Sequence, residues 1–169
     1  MIYVTKSTTP LGDILLSSDG ESLTGLWFYG QKYFPEISSK GEIIIENTYA
    51  IEKDLPIFQQ ALSWLDIYFS GVEPDFFPPL NPRGTSFRQE IWQKLLEIPY
   101  GETISYGELG APRAVGGAVG HNPISIFIPC HRVVGKNGSL TGYAGGVDRK
   151  TVLLDLESTT TAKTIRFRF

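Results

Sequence analysis

Over the first thirty residues, apolar and polar positions alternate with the period of two that a strand requires: Ile2 and Val4, then Ile14 and Leu16, then Leu23, Leu26 and Phe28. The turn formers Thr9-Pro10-Leu11-Gly12 and Ser18-Asp19-Gly20 interrupt the alternation, so the pattern predicts an antiparallel meander with short turns. Ile43-Ile44-Ile45 is a further strand candidate. Downstream the period changes: Phe58, Ala61, Leu62, Leu65, Tyr68 and Phe69 recur at three and four, predicting an amphipathic helix that Gly71 ends. Strands covered by one helix make a small α+β domain.

Pro74, Pro78, Pro79 and Pro82 then crowd into one stretch, which forbids helix and favours an extended run. The boundaries expected are an N-terminal domain over 1–82, a second domain over 83–157, and a tail over 158–169. In the second half, Ser86-Phe87-Arg88-Gln89 has capping-box spacing, and Phe87, Ile91, Leu95 and Ile98 line one helical face until Pro99 and Gly101. Ser105-Tyr106-Gly107-Glu108 repeats the cap for a very short helix. Pro112 can open a third over 113–119, stopped by Gly120 and Asn122-Pro123. Two short helices joined by a tight turn suggest a helix-turn-helix, although any small helical bundle gives the same pattern. The third helix holds Gly116 and Gly117, each costing about 1 kcal/mol against alanine. Either the protein's own core or an outside surface must approach closely there. Gly135-Lys136-Asn137-Gly138 reads as a hairpin-type turn and Gly142-Tyr143-Ala144-Gly145-Gly146 as a loop able to wall a pocket; a last helix is expected from about Asp148 to Glu157. The threonine-rich tail from Ser158 is left unassigned and expected to be mobile.

Composition narrows the class. The chain has 169 residues, 41% hydrophobic and 20% charged, as in ordinary soluble globules. No apolar run is long enough to span a bilayer, and Met1-Ile2-Tyr3-Val4-Thr5-Lys6 lacks the plan of a signal peptide, so a cytoplasmic protein with no membrane partner is expected. One cysteine permits no internal disulfide, and one cysteine with two histidines is too few for a zinc cage; no metal is expected. The net charge of −3 is unevenly spread. Residues 1–82 hold four Lys/Arg against eleven Asp/Glu, whereas 83–150 hold eight against five. A locally positive half can bind phosphates whatever the total, because screening confines the field to about 10 Å.

That positive half contains Ile128-Pro129-Cys130-His131-Arg132-Val133, with the only cysteine beside one of two histidines. A thiol titrates near about 8.5 and only the thiolate attacks, so His131 and Arg132 are candidates to lower its pKa. A lone cysteine in an apolar run is equally consistent with a small buried hydrophobe.

Ordered along the chain, Gly84-Thr85-Ser86-Phe87 with Ile91-Trp92, Gly101-Glu102-Thr103, Ser105-Tyr106-Gly107-Glu108-Leu109, Arg113-Ala114-Val115-Gly116, Asn122-Pro123-Ile124, the Pro-Cys-His-Arg core and Gly142-Tyr143-Ala144-Gly145-Gly146 resemble the O6-alkylguanine-DNA alkyltransferases, the methylated-DNA–protein-cysteine methyltransferases. The resemblance implies an α+β fold: a ribonuclease H-like antiparallel-sheet domain followed by a mostly helical, winged-helix-like DNA-binding domain. It implies a single-turnover transfer of an alkyl group from O6-alkylguanine, and from O4-alkylthymine, to Cys130, without cofactor, by a monomer acting on double-stranded DNA. His131 and Glu157 would polarise the thiol through a water, Tyr106 would donate to the departing base, and Asn122 would brace the turn before the active strand. The backbone of Tyr143, Ala144 and Gly145 would line the guanine pocket. Arg113 would fill the space left by a flipped base, with Ala114, Gly116, Gly117 and Arg132 on the DNA side. One departure from the family pattern is visible: only Gly110-Ala111-Pro112 separate Leu109 from Arg113, which shortens the helix-turn-helix. Two alternatives stand beside transfer, a non-catalytic binder of alkylated DNA and a Cys-His hydrolase.

Overall fold

Turns at 10–11 and 19–22 fold the first residues into three strands, β1 (Ile2–Thr9), β2 (Gly12–Ser18) and β3 (Leu23–Phe28), paired antiparallel as the alternation predicts. The computed structural model describes residues 2–37, 43–44, 48–51, 54–140 and 142–167. Within that range β4 (Glu36–Ile37) pairs with β5 (Ile43–Ile44); the expected strand residue Ile45 lies outside the described residues. A strand not anticipated from sequence, β6 (Thr48–Ile51), adds to β1 in parallel, giving the order β3-β2-β1-β6. Helix α1 (Pro56–Phe69) opens with a proline, whose missing N–H is no loss in the first turn, and lays Phe58, Ala61, Trp64, Leu65 and Tyr68 inward.

The proline-rich segment is not a free spacer. Leu23 N–H donates to the Pro79 carbonyl and Asn81 N–H to the Leu23 carbonyl, both at 2.8 Å. Further along the same edge strand, Leu26 N–H donates to Pro123 O at 2.8 Å and Ser125 N–H to Leu26 O at 3.3 Å. The open edge of β3, a row of unpaired donors and acceptors, is thus covered by chain from both sides of the expected boundary. The hydrophobic core is correspondingly continuous: Ile14, Leu16 and Phe28 of the sheet, Tyr68 of α1, Ile91 and Trp92 of α2 and Ile128 and Cys130 form one cluster.

Helix α2 (Ser86–Leu96) starts one residue earlier than the capping box suggests. Thr85, not Ser86, is the cap, its hydroxyl accepting from Arg88 N–H at 3.2 Å. The inward stripe therefore begins at Ile91 and Trp92, and Phe87, expected inside, is 45% exposed. The Trp92 indole donates to the Ala118 carbonyl at 2.8 Å, which locks α2 against a later helix.

Next come β7 (Ile104–Ser105), the single-turn α3 (Tyr106–Leu109) and α4 (Pro112–Gly120). The predicted cap on α3 is present, with Ser105 N–H donating to the Glu108 carboxylate at 2.6 Å. Only Gly110 and Ala111 join α3 to α4, and Gly110 sits at φ 145, a conformation that glycine alone adopts readily. The motif is a helix-turn-helix compressed to a two-residue turn. Cys130–Arg132 form a 3-10 turn rather than the expected strand, and β8 (Val133–Val134) follows, pairing parallel with β7. The segment 135–138 is a local turn, closed by Gly135 N–H to Ser139 O at 2.8 Å, with no hairpin partner strand among the described residues. Helix α5 (Val147–Phe167) runs past Glu157 into the segment left unassigned, since no glycine or proline interrupts it; Arg168 and Phe169 lie outside the described residues.

Candidate active site

The approach to Cys130 is strained and braced. Ile126, a buried β-branched residue, has φ 73, a left-handed conformation costing on the order of 1–3 kcal/mol. Asn122 holds the turn from inside: its carbonyl oxygen accepts from Ile124 N–H at 3.0 Å and its amide donates to Ile128 O at 2.8 Å. The brace expected of Asn122 is therefore present, but it supports a turn rather than a strand.

Cys130 lies at the start of the 3-10 turn and is only 3% exposed. Burial pushes its thiol up to about 11, against the smaller opposing effects of the Asn122 amide, the Lys150 ammonium and the N–H groups of Cys130 and His131. The expectation of an open, ionised sulfur is thus corrected: in the resting protein it is a neutral, buried thiol. Arg132 does not supply the missing field, because its guanidinium points elsewhere. Nε donates to Glu157 Oε1 and Nη1 to Ile98 O, both at 2.8 Å, with the Tyr100 ring 5.6 Å away. With 11% of its side chain exposed, Arg132 is an internal strut and not the DNA contact expected of it.

Glu157 is the hub of this layer. Its Oε2 meets His131 Nε2 at 2.5 Å and accepts from the Tyr68 hydroxyl at 2.6 Å, while Oε1 accepts from Arg132 and from Gly101 N–H at 3.1 Å. Burial alone would raise its pKa, but hydrogen bonds and charges from His131 and Arg132 bring it down to about 2, so it stays ionised. Burial in turn lowers the His131 pKa, with Glu157 offsetting only part of this, so the imidazole is neutral. An ionised acceptor at Nε2 assigns the ring proton to Nε2. Nδ1 is then a bare acceptor, buried and without a hydrogen-bond partner among the described residues, one residue along from the thiol.

Pairing of β7 with β8 brings α3 beside the cysteine turn. Tyr106 is half-buried there, its pKa raised by burial and then by the neighbouring Cys130. The same residue lines a cleft of about 590 Å3 with Ser105, Gly107, Pro112, Gly116, Lys136 and Gly142. Cys130 is not among the lining residues, so Tyr106 stands between the cleft wall and the sulfur's surroundings. Gly142 lies close: a Cβ built on it would come within 3.1 Å of the Tyr106 hydroxyl. Tyr143 is buried, its pKa raised by burial and by Cys130, and the Gly145 backbone lies against the Tyr143 and Phe28 rings. Ala144 accepts a hydrogen bond from Lys32 N–H at 3.1 Å.

On the outer side, Arg113 and Ala114 in the first turn of α4 are exposed. A Cβ added at Gly116 or Gly117 would meet nothing within 4 Å among the described residues. Core packing therefore does not explain these glycines, and the choice left open by the sequence falls to an outside surface. The residues that sequence reasoning missed are Tyr68 and Lys150. Tyr68 looked like one more core aromatic, and its partner is 89 residues away. Lys150 looked like surface charge but is fully buried, its ammonium donating to Val133 O at 2.5 Å and lying 5.9 Å from the Tyr106 ring. Among the described residues no group of His, Cys, Asp and Glu could hold a metal ion, and no helix is long and apolar enough to cross a membrane.

Comparison with known proteins matches residues 2–82 to the 6-O-methylguanine DNA methyltransferase, ribonuclease-like domain, and residues 86–159 to the 6-O-methylguanine DNA methyltransferase, DNA binding domain. The methylated-DNA–protein-cysteine methyltransferase of Haemophilus influenzae is 45% identical over 164 residues, 92% of this chain and 86% of that protein. The constitutive enzyme of Bacillus subtilis is 39% identical, covering 93% and 96%. The crystal structure of Mycobacterium tuberculosis OGT in complex with DNA superposes with a TM-score of 0.81 at 40% identity, covering 94% of each chain. A strained cysteine turn backed by a neutral histidine and a buried carboxylate, on a fold matched by both domain models, places the chain in the 6-O-methylguanine DNA methyltransferase family.

Proposed function

We propose that this member of the family repairs double-stranded DNA by moving an alkyl group from O6 of guanine to the sulfur of Cys130, once per molecule and as a monomer. The activity itself, methylated-DNA–protein-cysteine methyltransfer, follows from membership; the assignment of roles to residues is our reading of the geometry. It rests chiefly on one observation, a buried thiol followed in the chain by an imidazole whose free nitrogen can accept a proton while its other nitrogen is held by an ionised carboxylate.

In the step proposed, the thiol proton passes to His131 Nδ1, directly or through a water, and Glu157 stabilises the imidazolium formed. The Cys130 sulfur attacks the alkyl carbon, the new S–C bond forms as the C–O6 bond breaks, and the electron pair goes into the purine. Tyr106, the hydroxyl shared by the cleft wall and the cysteine surroundings, donates to the departing base and is reprotonated from His131 through the site. In sum the thiol proton ends on guanine and the alkyl group on sulfur. A thioether has no leaving group that water can displace under these conditions, so the protein is consumed.

O6 of a paired guanine is out of reach inside a duplex, so the base must rotate out, at a few kcal/mol and less when alkylation has weakened its pairing. The cleft beside Tyr106 falls in the range of small-molecule pockets, roughly 300–1,000 Å3, and receives it. Arg113 on exposed α4 fills the vacated stack, and the bare helix face at Gly116 and Gly117 admits the DNA backbone. O4-alkylthymine offers the same leaving-group chemistry. A non-catalytic binder would not need the cysteine, whereas a hydrolase would regenerate it. Incubation with tagged O6-benzylguanine separates them: stoichiometric labelling abolished in Cys130→Ala supports transfer, and DNA binding without labelling or repeated turnover of an ester contradicts it.

A further inference from the structure

Arg149, in the first turns of α5, is half-buried and spends its guanidinium on backbone from two distant parts of the chain. Nε donates to Leu11 O in the β1–β2 turn at 3.0 Å, and Nη1 donates to Gly145 O in the glycine loop, also at 3.0 Å. The guanidinium plane lies 4.5 Å from the Phe28 ring centroid at the end of β3, and the same ring flanks Gly145. Gly12, at φ 124, leaves room for this: a Cβ there would approach Nη2 to 3.2 Å. A second bond ties the same loop to the first half of the chain, from Lys32 N–H to Ala144 O at 3.1 Å. Lysine could not replace Arg149, because only a planar fork donates in two directions while stacking on a ring.

The geometry points to Arg149 as a positioning residue for alkyl transfer, a clamp by which the N-terminal sheet sets the wall of the base pocket formed by residues 143–145. The inference rests on the reading of that loop as pocket wall. It gives the first half of the chain a part in substrate recognition: β2, β3 and their turns fix the depth of the pocket without touching the sulfur.

The test uses the full chain carrying Arg149→Met or Arg149→Lys. Hydrogen exchange at the Lys32 and Gly146 amides, whose acceptors are Ala144 O and Tyr143 O, reports the clamp itself. The concentration of free O6-benzylguanine giving half-maximal labelling rate reports the pocket, and iodoacetamide labelling of Cys130 reports the thiol. With the clamp removed, exchange at both amides speeds up and the half-saturating concentration rises about tenfold, the loss of one charged hydrogen bond, while the maximal labelling rate stays within about twofold. Lysine recovers little of this. Unchanged exchange overturns the clamp. Faster exchange with an unchanged half-saturating concentration overturns the reading of the loop as pocket wall. A fall confined to the maximal rate, matched by slower iodoacetamide labelling, assigns Arg149 to the thiol instead and also overturns the inference.

Discussion

A carboxylate survives burial only when its lone pairs are met by donors, and Glu157 is met by His131, Tyr68, Arg132 and the Gly101 amide. Its folded pKa of about 2 lies below the ordinary 4.5. A depressed acid contributes stability that is fully present above the unfolded pKa and is lost as pH falls through the folded one. Here that contribution is on the order of 3 kcal/mol, lost between roughly pH 4.5 and 2. Glu157→Gln should lower stability near neutral pH by about 3 kcal/mol and flatten this acid limb, as read from urea midpoints at about pH 7 and about pH 3. An acid limb of unchanged steepness in the variant would show that another group carries it. At this scale the sequence was only partly informative. Cys130, His131 and Asn122 announce themselves by adjacency or spacing, but Tyr68 and Lys150 become site residues only through contacts between elements far apart in the chain. Arg132 misled for the same reason: a basic residue beside a nucleophile reads as surface charge until Glu157 folds back onto it.

At the level of elements, α4 carries the information. Val115, Ala118 and Val119 pack inward, while Gly116 and Gly117 leave a bare strip that nothing in the described protein covers. Glycine in a helix costs about 1 kcal/mol against alanine, so Gly117→Ala should stabilise the protein by up to about 1 kcal/mol, seen as a higher melting temperature. The same methyl group would stand where the DNA backbone is to approach. Repair of an alkylated duplex should therefore slow while labelling by free O6-benzylguanine is unaffected; equal rates on the duplex would remove DNA from the account of this face. Periodicity and caps located α1, α3 and α4 well, since each depends on its own local sequence. They placed the start of α2 one residue late, because Thr85 and Ser86 are both good caps and only packing of Trp92 and Ile91 decides between them. They missed β6, whose pairing is set by β1.

For the whole molecule, the pattern of strands, then proline, then helices suggested two units joined by a linker. The structure joins them more closely, since residues 79–81 and 123–125 both bond to the edge of β3 and the core runs through from the sheet to Cys130. Edge pairing of irregular segments leaves no periodic trace, which is why it was illegible in the sequence. The consequence is functional: Tyr68 of α1 reaches Glu157, so the acidic first half of the chain helps hold the histidine that serves the thiol. The basic second half faces the partner, with Arg113 exposed on α4. The account as a whole depends on where the alkyl group finishes. The most direct measurement is the intact mass of the protein after incubation with duplex DNA containing O6-methylguanine, with peptide mapping and Cys130→Ala as control. The account predicts a gain of one methyl group per molecule, located on Cys130, absent in the variant and matched by loss of the lesion. Disappearance of the lesion with an unmodified Cys130, or a methyl group found on another residue, would contradict it.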